Sequence, residues 1–165
     1  MKTKILIATL FSFLLITLNS FAEDSIWDKS KTNIAFDEKP KVMVYYNTDC
    51  GCCKDWLTHL EKNGLEVKAV AMDDVQPIKD DYKLPPQMAS CHTAIVDGYV
   101  IEGHVPADDI KKLITEKPKD IVGLSVPQMP VGTPGMEMGN RKDSFQVIAF
   151  DKKGNLSVYN EYKQY

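Results

Sequence analysis

Thr48-Asp49-Cys50-Gly51-Cys52-Cys53-Lys54 follows an apolar run, Lys41 to Tyr46, and precedes a helical stripe of Trp56, Leu57 and Leu60. A buried strand that turns through Asn47 to Gly51 into a helix, from about Cys52 to Lys62, opens a β-α-β unit. Asn63-Gly64 ends the helix and Glu66 to Ala71 reads as the second strand, which implies parallel strands and a right-handed crossover. The turn carries three of the four cysteines. The fourth, Cys91, stands beside His92 just before another β-like run, Thr93 to Val96. With these strands adjacent, all four thiols and one imidazole meet at one edge of a sheet. Soft sulfur at that density suits Cu(I), Zn(II) or dithiol redox chemistry.

Further along, Asp73 to Lys83 is charged and partly helical, and Pro85-Pro86 breaks it. Asp97-Gly98 between Thr93–Val96 and Tyr99–Glu102 is a two-residue hairpin turn between apolar runs. Pro106-Ala107-Asp108-Asp109 opens a helix with acids in its first turn; Ile110, Leu113 and Ile114 give its core face and Pro118 stops it. Gly123 to Gly139 has neither a helical nor a strand period. It reads as a long Pro/Gly/Met-rich functional loop carrying Met129, Met136 and Met138. Phe145–Phe150 and Leu156–Tyr162, joined near Lys153-Gly154, form a last hairpin. The element order predicts an α/β, thioredoxin-like domain: a central mixed β-sheet flanked by helices, with Cys-x-x-Cys between the first strand and the first helix.

The N-terminus predicts export. Lys2 and Lys4 precede an apolar run, Ile5 to Leu18, and Ser20-Phe21-Ala22 has the small-x-small form of a cleavage site. The run is short for a membrane span of ~20 residues. Residues 1–22 therefore read as a signal peptide, 23–40 as a polar lead-in, and 41–165 as the thioredoxin-like domain that carries the four cysteines. Ile26, Trp27, Ile34 and Phe36 are the lead-in residues expected to dock on the body. The layout looks bacterial, which places the mature protein in the periplasm, and no cysteine lies near the cleavage site to make it a lipoprotein. Removing 22 of 165 residues leaves 143, enough for one domain with a core. The net charge of −3 falls to about −5 without the two signal lysines, which argues against nucleic acid or anionic membranes as partners, while the short apolar run argues against stable membrane insertion.

Thr-x-Cys-Gly-Cys-Cys-Lys-x-Trp at 48–56 resembles the CopG-like family, a bacterial metal-resistance family long catalogued as a domain of unknown function. Ser-Cys-His-Thr-Ala at 90–94 carries the same resemblance, as do Asp-Gly-Tyr-Val-Ile-Glu-Gly-His-Val-Pro-Ala at 97–107 and the Met-rich loop at 123–137. The likeness spans about Lys41 to Phe150. It implies an exported, thioredoxin-like protein that binds copper through thiolates, without supplying a settled activity.

The residues themselves discriminate between chemistries. Cys52 and Cys53 fall at a helix N-terminus, where free amides and the helix dipole favour thiolates. A bridge between adjacent Cys52 and Cys53 would need a strained ring, whereas Cys50–Cys53 has redox-dithiol spacing and would leave Cys52 and Cys91 to pair. Cys52 is an extra thiol that would divert a mixed disulfide or trap a metal. By this alignment of elements Cys91 or His92 stands where thioredoxin-like redox enzymes carry a cis-proline, so a soft donor replaces a substrate-handling residue. Three thiols in four positions are too crowded to share one tetrahedral Zn(II), but they suit bridging between Cu(I) ions.

The expectation is therefore a periplasmic protein that holds Cu(I) as a polynuclear thiolate cluster on Cys50, Cys52, Cys53 and Cys91, for copper resistance or handling. Zn(II) is the second choice of metal. His92, His104, Met129 and Met136 are further candidate ligands, and Met88 and Glu137 are lesser ones. As strand neighbours, Cys91 and His92 are expected to point to opposite faces. His59 is expected at the surface and Trp56 in the core. Another periplasmic copper protein or an exporter would be the partner. Two alternatives stay open: a thiol–disulfide or copper-redox oxidoreductase with Cys50 as nucleophile and Cys53 as resolver, and a disulfide-stapled module that binds another protein.

Overall fold

The computed structural model describes residues 25–165, so the expected signal peptide and the first two lead-in residues lie outside it. The elements run β1 (Lys41–Asn47), α1 (Gly51–Lys62), β2 (Glu66–Met72), α2 (Gln76–Asp81), a single 3-10 turn at Pro86–Met88, β3 (His92–Val96), β4 (Tyr99–Glu102), α3 (Ala107–Glu116), β5 (Gly123–Ser125), β6 (Phe145–Phe150) and β7 (Leu156–Tyr162). All seven strands join one mixed sheet in the order β2-β1-β3-β4-β5-β6-β7. The β1/β2 and β4/β5 pairs are parallel and the others antiparallel. The architecture is α/β, as expected, with the predicted β-α-β unit and both predicted hairpins.

The pleat sends successive side chains of each strand to opposite faces of the sheet. Val42 and Val44 on β1, Ala94 and Val96 on β3 and Ile101 on β4 point into one core, with Trp56 and Leu60 of α1 and Ile110, Leu113 and Ile114 of α3. Each such large apolar side chain contributes about 1.5–3 kcal/mol of burial free energy. The opposite face has a smaller core of Leu84, Met88, Val100 and Phe150. The Asp97-Gly98 turn has positive φ at both residues, +48° and +83°, as a type I′ hairpin requires.

Two expectations are corrected. Residues 123–125, read as part of a structureless loop, form β5. This strand is three residues long and buried on both faces, so it leaves no alternating pattern to read. Gly123 lies so close to its neighbours that a Cβ would fall 2.3 Å from the Val100 carbonyl oxygen and 2.4 Å from Phe150 Cζ. β5 links the C-terminal hairpin to the first four strands, making one sheet of what would otherwise be two pieces. In the lead-in, Trp27 does dock. It packs against Phe145, Tyr162 and Tyr165 at centroid distances of 6.2, 5.4 and 5.2 Å, and its Nε1 donates to the Gly132 carbonyl at 2.8 Å. Phe36 packs half-buried against the core and Ile34 is half-buried, but Ile26 remains 40% exposed.

Candidate functional site

The N-terminus of α1 and the entrance of β3 build the site together. Asn47 closes the turn after β1: its carbonyl accepts from Cys50 N and its Oδ1 from Asp49 N, both at 2.9 Å. Cys50 is the helix N-cap, and its Sγ accepts from the Cys53 amide at 3.3 Å. β3 runs antiparallel to β1 with Tyr46 opposite His92, which sets Cys91 beside that turn.

The four sulfur atoms of Cys50, Cys52, Cys53 and Cys91 all lie within 4.8 Å of one another. Cys50 and Cys53 are joined by a disulfide, while Cys52 and Cys91 are free and half-buried. The pairing expected between those two, given a Cys50–Cys53 bridge, is therefore not present. Cys52 Sγ sits 3.5 Å from Cys50 Sγ. Full use of the four sulfurs as thiolates requires two-electron reduction of the bridge. Burial, with the charge of Cys52 beside it, pushes the Cys91 thiol up to about 12. A metal entering here must displace that proton.

The two histidines converge on the same sulfur. His92 Nδ1 is 3.2 Å and His104 Nε2 3.3 Å from Cys91 Sγ, so Cys91, His92 and His104 form a second donor group that shares Cys91 with the first. This overturns the expectation that Cys91 and His92 face apart. Cys91 lies one residue outside β3, where strand alternation no longer holds. Both imidazoles are fully buried, and burial lowers the pKa of each. The Pro134 carbonyl can only accept, and it lies 2.8 Å from His104 Nδ1. His104 thus carries its proton on Nδ1 and turns the Nε2 lone pair toward Cys91. Trp56 covers His92 at a ring distance of 4.3 Å, and His92 Nε2 is a buried polar atom without a hydrogen-bond partner.

The Met-rich loop reaches the site through its backbone. Gly135, at φ +79°, lies against the first turns of α1, where a Cβ would fall 2.6 Å from Trp56 N and 2.8 Å from the Cys52 carbonyl oxygen. Met136 follows it, half-buried, while Met129 and Met138 are 50% and 63% exposed. Glu137 accepts from Ser25 Oγ, and Met88 belongs to the smaller core. Trp56 is fully buried, as expected. His59 is not at the surface: it is buried, and its Nε2 accepts the Ala107 amide at 3.0 Å, tying α1 to the start of α3. His59 follows Trp56 by three residues, a spacing that sets both on the inward face of α1, so the helical period carried this signal. It also missed Lys79 and Glu102, a buried ion pair behind Cys91.

Fold and site together define an α/β protein with a sulfur-rich donor cluster, extended by two imidazoles, at one end of a mixed sheet. A family profile described as "Protein of unknown function, DUF411" matches residues 88–136. Two solved structures, described as copper resistance protein CopG in Form 2 and Form 1, are each 46% identical to this chain with TM-scores of 0.73. They cover 76% and 77% of it and 100% of their own length. No curated protein matches the chain. The chain belongs to the CopG-like family.

Proposed function

We propose that this protein binds Cu(I) as its cargo in the periplasm and serves copper resistance. Cys50, Cys52, Cys53 and Cys91 act as thiolate ligands once the Cys50–Cys53 bridge is reduced. The observation that carries the reading is the approach of all four sulfurs to within 4.8 Å. That donor set fits Cu(I), which prefers soft sulfur and tolerates low coordination numbers. Likeness to proteins described as copper resistance proteins supports the same metal.

A thiol–dithiol reductant would supply two electrons and two protons to open the bridge, and Cu(I) would then displace the thiol protons. Three sulfurs in four positions favour bridging, hence a polynuclear cluster. His104 Nε2 and His92 can complete the coordination on the buried side, and Met136 or exposed Met129 can receive copper on the loop side. The order β2-β1-β3-β4, with α1 and α2 in the crossovers and α3 after β4, supports reading the first part of the chain as thioredoxin-like. The signal-like segment at 1–22 supports export, and copper would pass to another periplasmic copper protein or an exporter.

The test is an anaerobic Cu(I) titration of the reduced protein, read by native mass spectrometry. Cooperative uptake of several ions, lost in Cys52→Ser or Cys91→Ser, is the expected result; no uptake refutes the reading. The Cys50–Cys53 bridge favours a second reading, a thiol–disulfide or copper-redox oxidoreductase. Disulfide reductase activity that is indifferent to copper and abolished by Cys50→Ser would promote it.

A further inference from the structure

Cys91 is the ligand candidate common to both donor groups, yet it stands on a connecting segment between the 3-10 turn and β3. Such a segment needs an anchor if a sulfur is to stay within a few tenths of an ångström of its partners. The anchor lies on the face of the sheet opposite α1. Glu102, the last residue of β4, is fully buried, and Lys79 of α2 is 7% exposed beside it. Lys79 Nζ donates to Glu102 Oε1 and, at 2.9 Å, to Thr93 Oγ1. Thr93, directly opposite Glu102 across the β3/β4 ladder, donates its hydroxyl to Glu102 Oε2 at 2.7 Å.

The third donor to this carboxylate is a backbone amide. The backbone amide of Ser90 donates to Glu102 Oε1 at 2.6 Å. Ser90 Oγ in turn donates to the Gln128 carbonyl at 2.6 Å, at the base of the Met-rich loop. Gly103 leaves room for this approach, because a Cβ there would lie 2.6 Å from Ser90 Oγ. A buried ion pair seldom adds net stability over a well-packed apolar one. A buried carboxylate that receives three donors, one from the residue bonded to Cys91, has a more specific use.

We propose that Glu102, held in place by Lys79, is a positioning residue that fixes the Ser90–Cys91 segment through the Ser90 amide and so presents the Cys91 sulfur to the other three thiols. The consequence for copper rests on the proposed function. The positioning itself does not, and it can be measured without metal.

The experiment uses the full mature protein, reduced and metal-free, and compares two double variants. Lys79→Met/Glu102→Ala removes the acceptor without stranding a buried charge. Lys79→Met/Glu102→Gln removes both charges but keeps an acceptor for Ser90 N–H. Native-state alkylation of Cys91, mapped by peptide mass spectrometry, should accelerate at least tenfold in the Ala variant, the order expected for loss of a hydrogen bond to a charged acceptor. The rates at Cys50, Cys52 and Cys53 should stay within about threefold, and the Gln variant should restore the Cys91 rate to within about threefold of wild type.

Chelator competition should follow the same order, with Cu(I) bound about tenfold more weakly by the Ala variant and near normally by the Gln variant. Equal Cys91 rates in all three proteins, or no restoration by Gln, overturns the proposal. Should the Ala variant fail to fold, amide exchange in the wild type decides: the Ser90 amide must exchange as slowly as the β3 amides, and exchange at exposed-loop rates overturns it. A wild type that takes up no Cu(I) would refute the copper reading while leaving the alkylation and exchange results to judge the positioning.

Discussion

Gly135→Ala tests whether the Met-rich loop is clamped to the site by its backbone. At φ +79° an alanine pays the left-handed penalty of about 1 kcal/mol. Its Cβ would also lie 2.6 Å from Trp56 N and 2.8 Å from the Cys52 carbonyl oxygen. Both are backbone atoms of α1, whose first turns are fixed by Trp56 in the core, so the loop must recede. Restoring ordinary contact at 3.4 Å needs a shift of about 0.8 Å. Pro134, one residue away, would carry its carbonyl from 2.8 to about 3.6 Å from His104 Nδ1, beyond hydrogen-bond range.

Strain, overpacking and the lost hydrogen bond together come to about 3 kcal/mol, or a fall in melting temperature of about 10 °C. Gly154→Ala is the control: it has φ +82° with nothing within 4 Å of the added Cβ, so it carries only the conformational penalty. Urea titration of both variants gives the difference, and nitrogen–proton correlation spectra of His104 above pH 7 report its tautomer. If Gly135→Ala is no less stable than Gly154→Ala and leaves the Nδ1–H form of His104 intact, the clamp does not exist.

Trp27→Ala should cost about 3–4 kcal/mol in urea titration, since it empties a buried indole site and strips the Gly132 carbonyl of its donor. It should also raise protease cutting within residues 130–142, and a loss under 1 kcal/mol would mean the lead-in is dispensable to the loop. For His59, burial lowers the folded pKa to about 4 from 6.5, so the unfolded chain binds the extra proton between those values. Stability is therefore fully present above pH 6.5 and should fall by about 1.4 kcal/mol per pH unit as pH drops toward 4. His59→Gln should remove that share of the slope in melting curves taken from pH 4 to 7; identical slopes refute the assignment. Thiol titration of the unfolded, unreduced protein should count two free thiols, Cys52 and Cys91, rising to four after reduction. Two disulfides or four free thiols before reduction would contradict the bridge pattern.

Much of the fold was legible because its signals are local. The apolar run Val42–Tyr46, the Asp97-Gly98 turn and the stripe of Trp56, Leu57 and Leu60 can each be read within one element, whatever packs against it. The thiol cluster was legible for the same reason, since three cysteines in four residues stay together in any fold. Cys91 required only that β3 lie beside β1, the arrangement expected when a β-α-β unit is followed by a hairpin and a helix.

What the sequence left open depends on contacts between distant segments. β5 exists because β4 and β6 offer hydrogen-bonding edges to either side of Gly123 to Ser125, and a three-residue strand buried on both faces carries no period of its own. His92 and His104 meet at Cys91 because that residue steps out of the strand, and the proton on His104 is set by a carbonyl thirty positions away. His59, Lys79 and Glu102 look like ordinary polar residues in a row of letters, and they became buried, partnered groups only when α3, β3 and the Ser90 segment closed around them. The sequence by itself determined which atoms could form a soft-metal site. The tertiary structure decided how near those atoms come, which of them are bridged, and which buried charges hold them there, because distance and desolvation are properties of packed segments rather than of any one of them.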